Sequence, residues 1–319
     1  MIGRKLAERL ARDGTLGSEP IRHVSLADVS EPERPIRADF EVEKVVADLA
    51  EPGVAGDLVS SRPDIVFHLA AVVSGEAEAD FEKGYRVNLD GTRSLLDAIR
   101  VVDDYCPRVV FASSIAVFGA PFPDVIGDDY STAPLTSYGT QKAIGELLLS
   151  DYTRRGSLDG VGIRLPTICV RPGAPNRAAS GFFSSIIREP LNGQEAVLPV
   201  PEDIRHWHAS PRAAVGFLLH AATLDSGRLG DRRCLTMPGV SVTVAEQIAA
   251  LRSVAGDEVV RLIRREPDET VLRIVADWPR NFDAQRAHAL GFRAESSFEE
   301  IIGVYVEDEL GGRVPAAGS

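Results

Sequence analysis

The sequence predicts an α/β fold built on a doubly wound parallel sheet with a smaller interleaved lobe, and three observations predict it. Near-continuous apolar runs of strand length alternate with helical runs through the first half, the pattern of parallel strands covered by helices on both faces. Polar residues stand where those runs end, at Asp28 and at Ser113-Ser114, and ligands of open α/β sheets meet the carboxyl ends of strands. After Pro172 the regularity fades into stretches rich in Pro, Gly and Asn, PGAPNRAASGFF and LPVPEDIRHWH, which suit a second lobe assembled from separate segments.

Each element follows in order. In the opening MIGRKLAERLARDG, Ile2, Leu6 and Leu10 recur at helical spacing, Arg4, Lys5, Glu8, Arg9 and Arg12 take the other face, and Gly14 is a stop signal. HVSLADV (23–29) reads as a strand ending at an acid, VEKVVADL (42–49) as a second and DIVFHLAAV (64–72) as a third. One long helix is expected over 77–101, a strand over RVVFASS (108–114) and a helix over 137–152. GVGIRLPTICVRPG (160–173) begins as a strand and breaks at Pro166. A helix over 211–224 and a strand over 234–237 return to the sheet, and short helices and strands follow from Ser241. The expected division is 1–171 with 208–238 for a dinucleotide-binding domain, and 172–207 with 239–319 for a substrate lobe.

A helix at the very start raises a question, because right-handed crossovers need a strand before the first helix. In dinucleotide-binding folds that strand ends in a glycine-rich turn whose last glycine lets the helix pack closely. Gly3 stands where that last glycine belongs, and Asp28 where the acid that bonds the adenosine ribose hydroxyls is expected. The expectation is a chain that starts inside its own phosphate-binding loop, without the first strand and the first two glycines. An acid at position 28 favours NAD over NADP, whose 2′-phosphate it would repel.

Composition narrows the classes. The 319 residues are 44% hydrophobic and 26% charged, ordinary for a globular protein. A net charge of −12 argues against nucleic acid or an anionic membrane as partner, while leaving room for a small anionic substrate held by a few local cations. Cys106, Cys169 and Cys234 have no paired spacing, which suits a reducing cytoplasm. No apolar run approaches the roughly 20 residues of a membrane span.

Tyr138 and Lys142 stand four apart on a predicted helix and so project from one face. A tyrosine becomes a useful base when its pKa is lowered, and a nearby ammonium favours the phenolate. A serine at the end of the 108–114 strand can hydrogen-bond a reacting oxygen while the tyrosine moves the proton and a nicotinamide takes the hydride. The bland alternative is a half-buried tyrosine beside a solvated lysine.

At these residues the sequence resembles the extended short-chain dehydrogenase/reductases, the NAD-dependent epimerase/dehydratase group with a Rossmann fold. FASSIAVFG is similar to the family's serine strand and YGTQK to its Tyr-x-x-x-Lys. The resemblance implies Ser114 as catalytic serine with Ser113 its neighbour, Tyr138 as base, and Lys142 as pKa depressant and nicotinamide-ribose anchor. It further implies Asn88 of VNLDGT as the support of a proton relay. Leu69, Ala70 and Ala71 of HLAA would line the cofactor, Asp48-Leu49 would lie near the adenine, and Pro166 and Thr167 would border the nicotinamide. GIRLPTICVRPGAPNRAASGFFSSIIREPLNGQEAVLPV and RHWHASPRAAVGFLLHA resemble a narrower group, the D-erythronate dehydrogenases, which oxidise a four-carbon sugar acid at C2 with NAD. Where nucleotide-sugar members carry a pair of acids at a helix start, this chain has Pro211-Arg212, a change that favours a small carboxylate.

Arg177, Arg205 and Arg212 are therefore candidates for a carboxylate clamp. His206 and His208 lack an identifiable third metal ligand and are assigned to substrate contact or local structure; no metal is expected. Phe182 and Phe183 are assigned to the core. The implied activity is NAD-dependent oxidation of a small sugar acid, with a homodimer as the possible assembly. The alternatives are a nucleotide-sugar epimerase or dehydratase on the same fold, and a non-catalytic NAD-binding protein, a class that usually loses the Tyr or the Lys.

Overall fold

A computed structural model of the chain describes residues 1–173 and 180–314. They form two compact units, the first from Met1–Val117, Thr136–Arg164 and Val215–Leu235, the second from the described residues of 118–135, 165–214 and 236–319.

The first unit opens with α1 (Ile2–Asp13), whose buried stripe is Leu6, Ala7, Leu10 and Ala11. It ends where the sequence predicts, at Gly14, whose φ of 65° lets its N–H reach the Leu10 carbonyl at 2.9 Å. Strands β1 (His23–Asp28) and β2 (Glu41–Val46) pair in parallel, His23 opposite Glu41 and Asp28 opposite Val46. Helix α2 (Val54–Ser60) leads to β3 (Ile65–His68), which lies parallel to β4 (Arg108–Ser114). Helices α3 (Gly91–Arg100) and α4 (Ser137–Arg154) flank β4 in sequence, and β5 (Asp159–Leu165) follows. The larger sheet runs in the order Cys234–Thr236, β5, β4, β3, and β1–β2 form a separate pair.

The core of this unit joins Leu95, Leu96 and Ile99 of α3 and Leu149 of α4 to Val109 and Phe111 of β4. Removing each such side chain from water contributes about 1.5–3 kcal/mol. Because α4 carries Tyr138 and Lys142 and β4 ends at Ser114, the same packing fixes the residues of interest.

One predicted element is corrected. The single helix expected over 77–101 is a succession of short pieces: Ser74–Ala79, Phe81–Gly84, a π-turn over Tyr85–Asp90, and α3. Asp80 leaves helical geometry and caps the second piece, its carboxylate accepting from Lys83 N–H at 3.0 Å. The wide turn then directs Asn88 inward, where it bonds both backbone groups of Val72, at 2.8 and 3.2 Å, and the Gln141 amide oxygen at 2.7 Å. Insertions of this kind gather at functional sites.

In the second unit β6 (Thr167–Ile168) resumes after Pro166, and α5 (Gly181–Leu191) and β7 (Ala196–Leu198) follow. β8 (Arg205–Ala209) lies between β6 and β9 (Val240–Thr243), parallel to the first with Thr167 opposite His208 and antiparallel to the second. Helix α6 (Val244–Ala255), strand β10 (Ile263–Arg265) and helix α7 (Phe298–Glu309) complete it. Its core includes Phe182, Phe183, Ile186, Ile248, Leu251, Phe298 and Ile302, the first two as the sequence suggests.

Candidate active site

Thr136 starts α4, its hydroxyl accepting from Gly139 N–H at 3.0 Å, which puts Tyr138 in the first turn and Lys142 one turn on. The two serines at the end of β4 part company, as alternating strand residues must. Ser113 is buried and its hydroxyl donates to Glu146 Oε1 at 2.5 Å. Ser114 faces the other way, accepts from Ala116 N–H at 3.1 Å, and is the hydrogen-bonding neighbour of the Tyr138 phenol. The structure thus brings Ser114, Tyr138 and Lys142 together and sends Ser113 into the core.

The electrostatics differ from the sequence expectation at Lys142. Its side chain is buried, donates to the Ala112 carbonyl at 2.9 Å, and stands 5.8 Å from the Tyr138 ring centre and 4.9 Å from that of Phe111. Burial lowers its pKa to about 8 against the opposing pull of Glu146. Burial likewise pushes the Tyr138 phenol up to about 12, with only Ser114 pulling it down. In this arrangement the Lys142 ammonium is directed at the Ala112 carbonyl, and the group that draws the Tyr138 phenol down is Ser114.

Glu146, one turn beyond Lys142, is a partner the sequence reading missed. It forms a buried ion pair with Arg164, Nη2 to Oε2 at 2.7 Å and Nε to Oε1 at 2.9 Å. An acid on the otherwise apolar face of α4, four residues after the lysine, was the available signal. Gln141, which holds Asn88, was missed as well. Asn88 is anchored from a third side: His68 Nε2 bonds Thr92 Oγ1 at 2.8 Å, and that hydroxyl donates to the Asn88 carbonyl at 2.7 Å. Because the Thr92 hydrogen is committed, His68 is the donor in the first bond. Its ring is neutral, burial lowering its pKa to about 3.

The residues expected to hold a dinucleotide also lie in the first unit, Pro166 and Thr167 excepted. Gly3 opens α1 on its exposed side, and a Cβ there would make only ordinary contact with Leu69 at 3.6 Å. Asp28 ends β1 exposed, with Oδ1 taken by the backbone N–H and hydroxyl of Ser30 at 3.1 and 3.2 Å. Leu69, Ala70 and Ala71 follow β3, and Asp48-Leu49 follow β2. The Asp48 carboxylate is tied to Arg86 at 2.7 Å and to Ala50 N–H at 3.0 Å, and its pKa is lowered accordingly. The donor set fits a nicotinamide dinucleotide: an acid with an oxygen outside its local turn at Asp28, and an ammonium at Lys142 that spends one proton on Ala112 and keeps two for hydroxyls.

Two of the three arginines expected to clamp a carboxylate lie among the described residues. Arg212 is exposed and pairs with Asp308 at 2.5 Å and Glu307 at 2.9 Å, so acids of α7 neutralise the charge that its position promised. Arg205 is engaged by Glu246 at 3.1 Å and by the Ser241 carbonyl at 2.9 Å. Arg177 lies outside the described residues. His206 and His208 belong to the interior of the second unit, where Phe183 stacks on His206 with ring centres 5.3 Å apart. His206 Nδ1 donates to the Pro279 carbonyl at 2.9 Å, so its Nε2 accepts from the Thr167 hydroxyl at 2.7 Å. Burial keeps this ring neutral, with a pKa of about 4.

Residues 1–227 match the NAD dependent epimerase/dehydratase family, and the chain belongs to that family. It is 49% identical over 311 residues to the D-erythronate dehydrogenase of Cupriavidus necator, a match covering 96% of this chain and 95% of that protein. It is 40% identical to the D-erythronate dehydrogenase of Haemophilus influenzae, over 97% of this chain and 96% of that one. Among solved structures it is similar to the nucleoside-diphosphate-sugar epimerase from Agrobacterium tumefaciens, with 64% identity and a TM-score of 0.97 over 98% of this chain and 93% of that chain. Among the described residues no helix is long and apolar enough to cross a membrane.

Proposed function

We propose that this chain is an NAD-dependent sugar-acid dehydrogenase that oxidises the C2 hydroxyl of D-erythronate to give 2-dehydro-D-erythronate. The observation that carries the reading is Ser114 beside the Tyr138 phenol, one helical turn before Lys142. It is supported by the near-full-length similarity to two D-erythronate dehydrogenases. Bound NAD supplies the hydride acceptor. The chain's own residues do the rest. Ser114 orients the C2 oxygen, Tyr138 takes the hydroxyl proton, and Lys142 holds ribose hydroxyls while its bond to Ala112 keeps it in place. Asn88, fixed by Val72, Gln141 and Thr92, positions the relay through which the proton leaves. In this reading the first unit binds the dinucleotide, Asp28 selecting NAD over NADP, and the second unit carries substrate. The three free cysteines suit a cytoplasmic enzyme.

A second reading, epimerisation of a nucleoside-diphosphate sugar, has one specific observation in its favour, the 64% identity to the Agrobacterium nucleoside-diphosphate-sugar epimerase. One assay separates them. The purified chain is given NAD or NADP with D-erythronate, other four-carbon sugar acids and UDP-hexoses, and reduction is followed by absorbance while sugars are resolved by chromatography. Reduction of NAD with D-erythronate, weak with NADP, is the expected result. Interconversion of UDP-hexoses with no reduction by any sugar acid would replace the first reading with the second.

A further inference from the structure

We propose that Glu146 is a positioning residue of the active site: clamped by Ser113 and Arg164, its carboxylate seats the face of α4 that carries Tyr138 and Lys142 on the end of β4 and supplies the counter-charge of the Lys142 ammonium. The inference rests on the reading of Lys142 as the ribose anchor and names the group that keeps that anchor in place.

Tyr138, Lys142 and Glu146 follow one another at intervals of four along α4, so they share one face. That face meets three consecutive residues at the end of β4. The Lys142 ammonium donates to the Ala112 carbonyl at 2.9 Å, the Ser113 hydroxyl donates to Glu146 Oε1 at 2.5 Å, and Ser114 bonds the Tyr138 phenol. A further tie comes from β5, the strand beside β4. Arg164 donates through Nε to Glu146 Oε1 at 2.9 Å and through Nη2 to Oε2 at 2.7 Å. Glu146 thus joins α4 to two adjacent strands at once. A shift of α4 along β4 would break this grip together with the contacts of Lys142 and Tyr138.

Stability alone does not account for the arrangement. The Glu146 and Arg164 side chains are only 6% and 13% exposed, and a buried ion pair is often no more stabilising than well-packed apolar residues of similar volume. What the carboxylate adds is a negative charge beside an ammonium whose burial disfavours its charged form. Lys142 stands at about 8, with burial pulling it down and Glu146 pulling it up. The other titratable groups around the pair keep one state from about pH 6 to 9. Burial pushes the Tyr138 phenol up to about 12 and the Cys234 thiol well above its ordinary value, and it lowers His68, on which Lys142 acts from across β3, to about 3. Arg164 stays protonated throughout. Lys142 is the group whose charge changes in that range, and Glu146 sets where the change falls.

The test uses the whole chain. Lys142 is one of four lysines, so protein labelled with 13Cε-lysine reports its titration directly, and Lys142→Arg identifies the signal. Glu146→Gln keeps the side chain's shape and should lower the Lys142 midpoint by about one pH unit. At pH 8 the charged fraction then falls from about one half to about one tenth, so NAD should bind about fivefold more weakly there and equally well at pH 6. Glu146→Gln combined with Arg164→Gln removes the ion pair without stranding a guanidinium, and the midpoint should stay low. If Glu146→Gln alone does not fold, this double variant carries the same test. An unchanged midpoint in Glu146→Gln overturns the assignment. So does a return to the parent's midpoint in the double variant, because the stranded Arg164 would then be the cause. NAD binding weakened by the same factor at pH 6 and pH 8 also overturns it, as the mark of a distorted helix. The lysine titration needs neither NAD nor substrate, so it decides Glu146 even where D-erythronate is not oxidised and the sugar-acid reading fails.

Discussion

At the scale of single residues, Tyr138 is held as a weak acid by its surroundings and must lose that character to act. Its pKa of about 12 means that the base form grows as pH rises, so oxidation should accelerate from about pH 6 to at least pH 8. A rate that falls over that range would remove Tyr138 as the base. Tyr138→Phe keeps the ring and removes the proton acceptor, and kcat should drop by about 10²–10⁴ while NAD affinity holds. Arg212 gives the opposite expectation. Arg212→Gln loses only a surface pair, costing less than about 1 kcal/mol, and should leave KM for the sugar acid unchanged. A raised KM would restore Arg212 to the clamp. The sequence displayed Tyr138, Lys142 and Ser114 because their relation is local: four residues along one helix, and the end of one strand. It hid Asp308 as a partner of Arg212 and Gln141 as a partner of Asn88, which lie 96 and 53 residues away along the chain, where no local pattern can reach.

At the scale of elements, the same contrast separates β4 from the helical stretch before it. β4 spans Arg108–Ser114 as predicted, because an unbroken apolar run in a buried sheet has no competing arrangement. The 77–101 stretch departs from a single helix because Asn88 finds its partners on Val72 and Gln141, and those bonds outweigh regular helical pairing. Two glycines carry opposite predictions. Alanine normally stabilises a helix over glycine by about 0.5–1 kcal/mol. At Gly145 of α4 a Cβ would meet Phe111 Cζ at 2.7 Å, the contact through which α4 lies against β4. Gly145→Ala should therefore destabilise by about 1–3 kcal/mol. At Gly216, in the helix Pro211–Thr223, a Cβ meets nothing within 4 Å, and Gly216→Ala should stabilise. Urea unfolding of both variants checks the pair. A stabilised Gly145→Ala would mean that Phe111 is free to give way.

At the scale of the whole molecule, three buried histidines tie stability to pH. His68 in the first unit and His206 and His208 in the second are each at most 4% exposed, and burial lowers all three, to about 3 for His68, about 4 for His206 and well below the ordinary value for His208. In the unfolded chain each returns to about 6.5 and takes a proton. Above that pH both states are neutral at these rings, and the histidines impose no penalty. As pH falls below it the unfolded chain binds protons that the folded chain refuses, so stability is lost through this window and levels off near the folded values. One unmatched proton costs about 1.4 kcal/mol per pH unit, so three cost about 4 kcal/mol per unit at the steepest. Against a typical total of about 5–15 kcal/mol, about one to four units suffice to unfold the chain. The melting midpoint should accordingly hold steady from about pH 8 to 7, fall steeply below 6.5, and bring acid unfolding near pH 4–5, before most carboxylates titrate. Thermal melting across pH 8 to 4, with proton uptake measured on unfolding at pH 5.5, tests it directly. A midpoint that stays flat to pH 5, or uptake well below one proton, would mean that these rings gain their protons without unfolding the chain.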